Sequence, residues 1–231
     1  MTTAMKVMVY PRDPNPYQED LYAELQRLGV SHRYVGELTP SRSANQLLLP
    51  AEICVLRARG YRIFHLHWLF GMQLRGASRF QSLRRLSRWY LLAILRLSRA
   101  LGVAVVWTVH NALPHEPTFD DDVFARQQLT TLCSAVIVHS RTTMAALSAM
   151  GCEIRRVAVI RPGVPKLATS AVPLSRNADR NRVRALFIGR IEVYKGVEDL
   201  LDVVGSPSAP EGLELVIAGE CRDAALATRL A

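Results

Sequence analysis

The sequence predicts an α/β protein with a doubly wound parallel sheet, and three observations predict it. Short runs rich in β-branched residues alternate with longer segments of helical period; the alternation lapses once, between Pro162 and about Arg182; and it then resumes to the end of the chain. Alternating β and α units favour parallel strands, because each return to the sheet needs a crossover that a helix supplies.

Met5–Tyr10 (MKVMVY) reads as the first strand, and Tyr17–Leu28 as a helix that stops at Gly29, a residue that readily closes a last turn. Strand Arg62–Trp68, helix Ser78–Leu101 and strand Val103–Val109 follow. Helix Asp121–Leu132, strand Ala135–His139, helix Thr142–Met150 ending at Gly151, and strand Val157–Ile160 complete a first domain, residues 1–165. Pro, Ser, Asn and charged residues then give no apolar period, so a linker is expected over 166–183. A second domain, 184–231, holds strand Arg184–Ile188, helix Gly196–Val204, strand Leu213–Ala218 and a helix cut off by the end of the chain. It is expected to be partial.

Hydrophobic residues are 49% of the 231, enough for a packed core and too many for a disordered chain. Cys54, Cys133, Cys152 and Cys221 form no C-x-x-C pair and sit in or beside apolar runs, as reduced structural thiols do. A signal-peptide core and an 18-residue apolar span are both missing, which points to a soluble cytoplasmic protein. Net charge is +9, with basic residues outnumbering acids 24 to 12 over residues 1–183 but only 5 against 8 over 184–231. Between Glu52 and Glu116 stand ten arginines and no acid, a basicity that needs an anionic partner or surface. No nucleic-acid recognition module accompanies it, so nucleic acid is not expected as a partner.

Gly189-Arg190 ends a strand and Lys195-Gly196 opens a helix, where the crevice of such a sheet lies. A pyrophosphate would meet a guanidinium, an ammonium and free backbone N–H groups there. An ordinary strand-to-helix turn has the same spacing, and spacing alone leaves both open. His65 and His67 alternate with Phe64, Leu66 and Trp68, so both point to the less apolar side of one strand. No carboxylate or cysteine nearby completes a metal site, so His67 is placed near the cleft, His65 is structural, and no metal is assigned. Asp120-Asp121-Asp122 fits D-x-D but lies where a helix begins, and capping is preferred. His115-Glu116, flanked by Pro114 and Pro117, is either structural or in contact with a ligand. The loop Pro11–Gln18, with three prolines, Arg12, Asn15 and Gln18, either walls a ligand or merely starts the helix at Tyr17.

On a wheel of the long helix, Leu83, Leu86, Tyr90, Ile94, Leu97 and Leu101 form a core stripe. Opposite lie Arg84, Arg85, Arg88, Arg96 and Arg99, interleaved with Trp89, Leu92 and Leu95, a membrane-surface pattern. Each arginine at an anionic headgroup contributes on the order of 1 kcal/mol, enough together for reversible attachment. The other reading is a solvated face whose apolar residues touch a neighbouring element.

Several segments, in order, resemble family-4 retaining glycosyltransferases. GRIEVYKG at 189–196 resembles the G-R-x-x-x-x-K-G segment whose Arg and Lys hold the donor diphosphate, and Ile217-Ala218-Gly219-Glu220 resembles the next strand's I-x-G-x-G ending. VIRPGV at 159–164 resembles the I-P-N-G-V before the interdomain linker; FHLHW at 64–68, WTVHNALPHE at 107–116 and VIVHS at 136–140 resemble first-domain strand ends. The resemblance implies a GT-B-like pair of Rossmann-like domains, here one complete and one partial. It implies transfer of a hexose, with retention and without a metal or cofactor, from a nucleoside diphosphate sugar to an acceptor hydroxyl. Arg190 and Lys195, with Gly189 and Gly196, would hold the diphosphate, and His110 would reach the transferred sugar as the catalytic-centre residue. Asn15, Tyr17, His67, Asn111, His115 and Glu116 are the further candidates for acceptor or cleft contacts. The basic helix, through Arg84, Arg85, Arg88, Trp89 and Arg96, suits a lipid-linked saccharide acceptor and peripheral attachment at the inner face of the membrane. The family also uses two glutamates eight apart further on, and Glu198, Glu211, Glu214 and Glu220 supply no such pair. The alternative is a truncated or split subunit that binds acceptor or membrane and needs a partner for activity.

Overall fold

A computed structural model of the protein describes residues 5–163 and 183–230, which fall in two units, residues 1–167 and 168–231. The linker expected over 166–183 lies outside the described residues except for Val183, which opens a strand.

The first unit runs β1 (Lys6–Tyr10), α1 (Pro16–Arg27), β2 (Ser31–Tyr34), α2 (Arg42–Ala58), β3 (Ile63–Leu66), α3 (Gln81–Ala100), β4 (Ala104–Val109), α4 (Asp122–Leu132), β5 (Ala135–Val138), α5 (Arg141–Ala149) and β6 (Val157–Val159). Its six strands lie in the order β2-β1-β3-β4-β5-β6, every pairing parallel. Strand order reverses at β1, so the crevice beyond the carboxyl ends of β1 and β3 is a switch point of the kind that holds ligands in open α/β sheets.

Period-2 alternation divides the side chains between two faces. Met8, Tyr10, Phe64, Leu66, Val105, Trp107, Val109, Val136 and Val138 join one large core with residues of α2, α3, α4 and α5. Val7 and Val9 face the other way, into a small cluster with Tyr22, Leu21 and Leu25 of α1. By the same alternation His65, His67, Thr108, His110 and His139 belong to this thinly covered α1 face.

Among the strands and α-helices of this unit, β2 and α2 went unread in the sequence. β2 is four residues long, SHRY, at the sheet edge and half exposed, so it carries no apolar run. Inside α2 stands Pro50, which has no N–H to give the carbonyl of Gln46 one turn earlier. The Tyr90 hydroxyl of α3 donates to that carbonyl at 2.5 Å, so tertiary structure restores what the helix lacks.

The face assigned to α3 from its wheel is corrected. Leu92 and Leu95 are buried in the core with Leu91 and Ile94, whereas Leu86 of the supposed core stripe is 52% exposed. Arg88 is buried and pairs with Asp120, and the Arg84 guanidinium turns back to the carbonyls of Ala77 and Ser78. Packing against α2 and α4 sets this rotation, and arginines that find internal partners are lost to the surface. Arg85, Leu86, Trp89 and Arg96 remain outward. No helix among the described residues is long and apolar enough to cross a membrane.

In the second unit β7 (Val183–Ile188) pairs in parallel with β8 (Leu213–Ala218), joined through α6 (Val197–Val204) and followed by α7 (Ala224–Leu230). Ile191, Val197 and Leu226 form its buried centre.

Candidate functional site

β3, β4 and β5 each deliver a polar residue to the α1 face just past the carboxyl end: His67, His110 and His139. Tyr22 of α1 reaches down between the strands, its hydroxyl 2.7 Å from Nδ1 of His65 and 2.9 Å from Nε2 of His67. His65 Nε2 lies 2.8 Å from Thr108 Oγ1, and His67 Nδ1 lies 3.2 Å from His110 Nε2. All four ring nitrogens of His65 and His67 are therefore engaged by protein groups. His110 stacks on Trp68, rings 4.2 Å apart and 10° from parallel, with Tyr17 edge-on at 5.2 Å. Tyr17 also meets His139 edge-on at 5.1 Å, and His139 Nδ1 donates to the Ile160 carbonyl at 2.9 Å.

Burial dominates the protonation of this group. It holds His65 down at about 3, aided by repulsion from His110, and His67 at about 2, aided by His65, His110 and His139. His110 is held at about 4 by burial and then by His139. All three imidazoles are neutral at pH 7, able to accept or donate a hydrogen bond without carrying charge.

Beside His67, Trp68 and His110 opens a cavity of about 390 Å³, whose wall also includes Asn111, His115 and Glu116. The loop after β4 thus brings four expected residues, His110, Asn111, His115 and Glu116, to one space. Asn15 is not among them: its Oδ1 caps α1 by accepting from Tyr17 N–H at 3.0 Å. Gln18, wholly buried, binds the Pro11 carbonyl and Asp13 N–H, so the proline-rich loop is tied to the helix it starts. Asp121 caps α4 through Phe124 N–H, Asp122 accepts from Thr118 and Phe119 and pairs with Arg126, and Asp120 pairs with Arg88. Reading the sequence missed Tyr22, Trp68 and His139. Trp68, one residue past His67, and His139, the last residue of the expected strand Ala135–His139, each carried a local signal; Tyr22 comes from another element.

In the second unit Gly189 takes φ +132° and Gly196, before α6, takes φ +66°. A side chain on Gly219 would strike the Gly189 carbonyl, so β7 and β8 end in close backbone contact. Lys195 Nζ donates to the Arg190 carbonyl at 2.8 Å, and the Arg190 guanidinium stands 3.9 Å from Glu192, both cations on the surface.

A sequence pattern of Glycosyltransferase Family 4 matches residues 7–166. No curated protein matches the chain. Among solved structures, HepE of Anabaena, crystallised with UDP and glucose, is similar with a TM-score of 0.52 at 15% identity over 94% of this chain; the chain spans 61% of that protein. The glycoside hydrolase domain of PelA from Pseudomonas aeruginosa matches over 94% of both chains at 13% identity, but its TM-score of 0.34 is too low to bear on the fold. The fold is a Rossmann-like GT-B-type α/β fold, and with the family pattern running from β1 through β6, the chain belongs to Glycosyltransferase Family 4.

Proposed function

We propose that the chain transfers a hexose, with retention, from a nucleoside diphosphate sugar to an acceptor hydroxyl. The observation that carries this reading is His110: a neutral imidazole, oriented by His67 and Trp68, at the wall of a cavity beyond the sheet's carboxyl ends. Such a group offers a hydrogen bond to a sugar hydroxyl or to charge building in the transition state. Arg190 and Lys195, flanked by Gly189 and Gly196, are assigned to the donor diphosphate, whose leaving charge they would offset without a metal or cofactor. The acceptor is assigned to the cavity, with Asn111, His115 and Glu116 in reach and Arg84 at its wall. Arg85, Trp89 and Arg96 suit attachment at the anionic cytoplasmic face of a membrane and hence a lipid-linked acceptor. HepE, bound to UDP and glucose, is consistent with the donor class.

Isothermal titration with UDP and GDP tests the donor assignment. One of the two is expected to bind, and Arg190→Ala with Lys195→Ala to weaken it at least tenfold. No binding by either nucleotide overturns autonomous transfer and favours a subunit that acts with a partner.

A further inference from the structure

We infer that Tyr22, His65 and Thr108 are positioning residues that, acting through His67, decide which ring nitrogen of His110 carries its proton. Four links join them in a line: Thr108 Oγ1 to His65 Nε2, His65 Nδ1 to Tyr22 Oη, Tyr22 Oη to His67 Nε2, and His67 Nδ1 to His110 Nε2. Each link needs one hydrogen. A neutral imidazole supplies one from one nitrogen only, and Tyr22 has a single hydroxyl hydrogen.

Three proton arrangements complete all four links. In the first, Tyr22 donates to His65, and His65, His67 and His110 all carry hydrogen on Nε2. In the second, Tyr22 donates to His67, and all three carry it on Nδ1. The third has both histidines donating to Tyr22 and leaves its hydroxyl hydrogen without a partner, although Tyr22 is only 1% exposed. A buried unmade hydrogen bond bears its full desolvation penalty, so the third is disfavoured. The line therefore behaves as a unit in which all three rings share one tautomer.

The shared choice reaches the cavity. With hydrogen on Nε2, His110 presents a bare Nδ1 that accepts from a hydroxyl; with hydrogen on Nδ1, it presents a donor to an oxygen. His139 stands outside the line, because the Ile160 carbonyl, which can only accept, already holds hydrogen on its Nδ1. Tyr22, which does not itself line the cavity, would thus set the polarity of the group that touches substrate. That last consequence rests on the role proposed for His110; the shared tautomer does not.

Long-range 1H–15N correlation spectra of the uniformly 15N-labelled full chain at pH 7.5 separate protonated from bare ring nitrogens. His65, His67 and His110 are expected to show the same tautomer, and Tyr22→Phe to leave His110 with averaged, two-tautomer resonances while its backbone spectrum stays folded. Thr108→Val is expected to loosen His65 likewise, and Thr108→Ser to retain the wild-type pattern. Mixed tautomers in the wild type, or an unchanged His110 in folded Tyr22→Phe, overturn the inference. If Tyr22→Phe does not fold, the wild-type and Thr108→Val spectra decide. Failure of nucleotide binding would leave this readout untouched, so the two proposals fail separately.

Discussion

Arg88 and Asp120 meet in a two-point ion pair, Nε to Oδ1 at 2.7 Å and Nη2 to Oδ2 at 2.8 Å, with side-chain exposures of 10% and 15%. The pair ties α3 to the residues that lead into α4, next to the cavity wall. Removing one partner leaves a largely buried charge uncompensated, so Asp120→Ala is expected to destabilise the fold by about 3 kcal/mol. Replacing both residues by Leu should cost less than Asp120→Ala alone. Urea unfolding of the three variants checks the order; a loss below about 1 kcal/mol for Asp120→Ala would mark the pair as solvent-screened.

The buried histidines predict a fold that weakens in mild acid. His65, His67 and His110 titrate in the folded state at about 3, 2 and 4, below the roughly 6.5 of an unfolded chain. Between those limits the unfolded chain binds more protons, so stability is full above about pH 6.5 and falls as pH drops from there toward 4. Each histidine adds a slope of up to about 1.4 kcal/mol per pH unit. Asp120 acts in a lower window, since its hydrogen bond to Arg88 depresses its carboxyl and that contribution disappears only below about pH 4. Urea midpoints should stay level from pH 7.5 to about 6.5 and fall from there to 4.5, and a profile flat throughout would contradict the neutral cluster.

Much of this was legible in the sequence, and what was not had physical reasons. The alternation of apolar runs and helical periods marked five of the six strands in the first unit, because buried parallel strands carry their hydrophobicity in the run itself. β2 escaped as a short polar edge, and α2 because Pro50 reads as a breaker until Tyr90 is seen bonding the Gln46 carbonyl. The Gly189–Gly196 segment stood out because it lies at a strand end, and His110 through the resemblance of WTVHNALPHE to a family strand end. Tyr22 did not, since nothing local says that a helix tyrosine will drop between two histidines some 43 and 45 residues on. The α3 wheel misled for a related reason: periodicity finds a stripe, whereas the neighbours Gln46 and Asp120 decide its rotation.

Gly219 should be intolerant of any side chain. It follows β8, and a methyl group there would collide with the backbone carbonyl of Gly189, which cannot rotate away as a side chain could. Gly219→Ala is expected to cost about 1–3 kcal/mol through overpacking and to displace the Gly189-Arg190 turn. Nucleotide affinity should therefore drop along with stability. A variant that binds UDP or GDP like the wild type would separate this backbone contact from the diphosphate assignment.

The corrected rotation of α3 sharpens the membrane proposal into a test that distinguishes neighbouring arginines. Arg85, Leu86, Trp89 and Arg96 face outward, with Trp89 48% exposed, while Arg88 lies between them in sequence but inside in space. An arginine at an anionic headgroup contributes on the order of 1 kcal/mol, so Arg85→Gln with Arg96→Gln should weaken binding to phosphatidylserine vesicles by about 2 kcal/mol, roughly 30-fold. Trp89→Ser should weaken it further by removing the apolar group that enters the headgroup boundary. Arg88→Gln should instead lower stability without a selective effect on vesicle binding at temperatures where it stays folded. Sedimentation in rising salt provides the control, because headgroup attraction is screened within a Debye length of about 10 Å at 0.1 M. Equal binding to neutral and anionic vesicles would remove the basis for placing this face at a membrane.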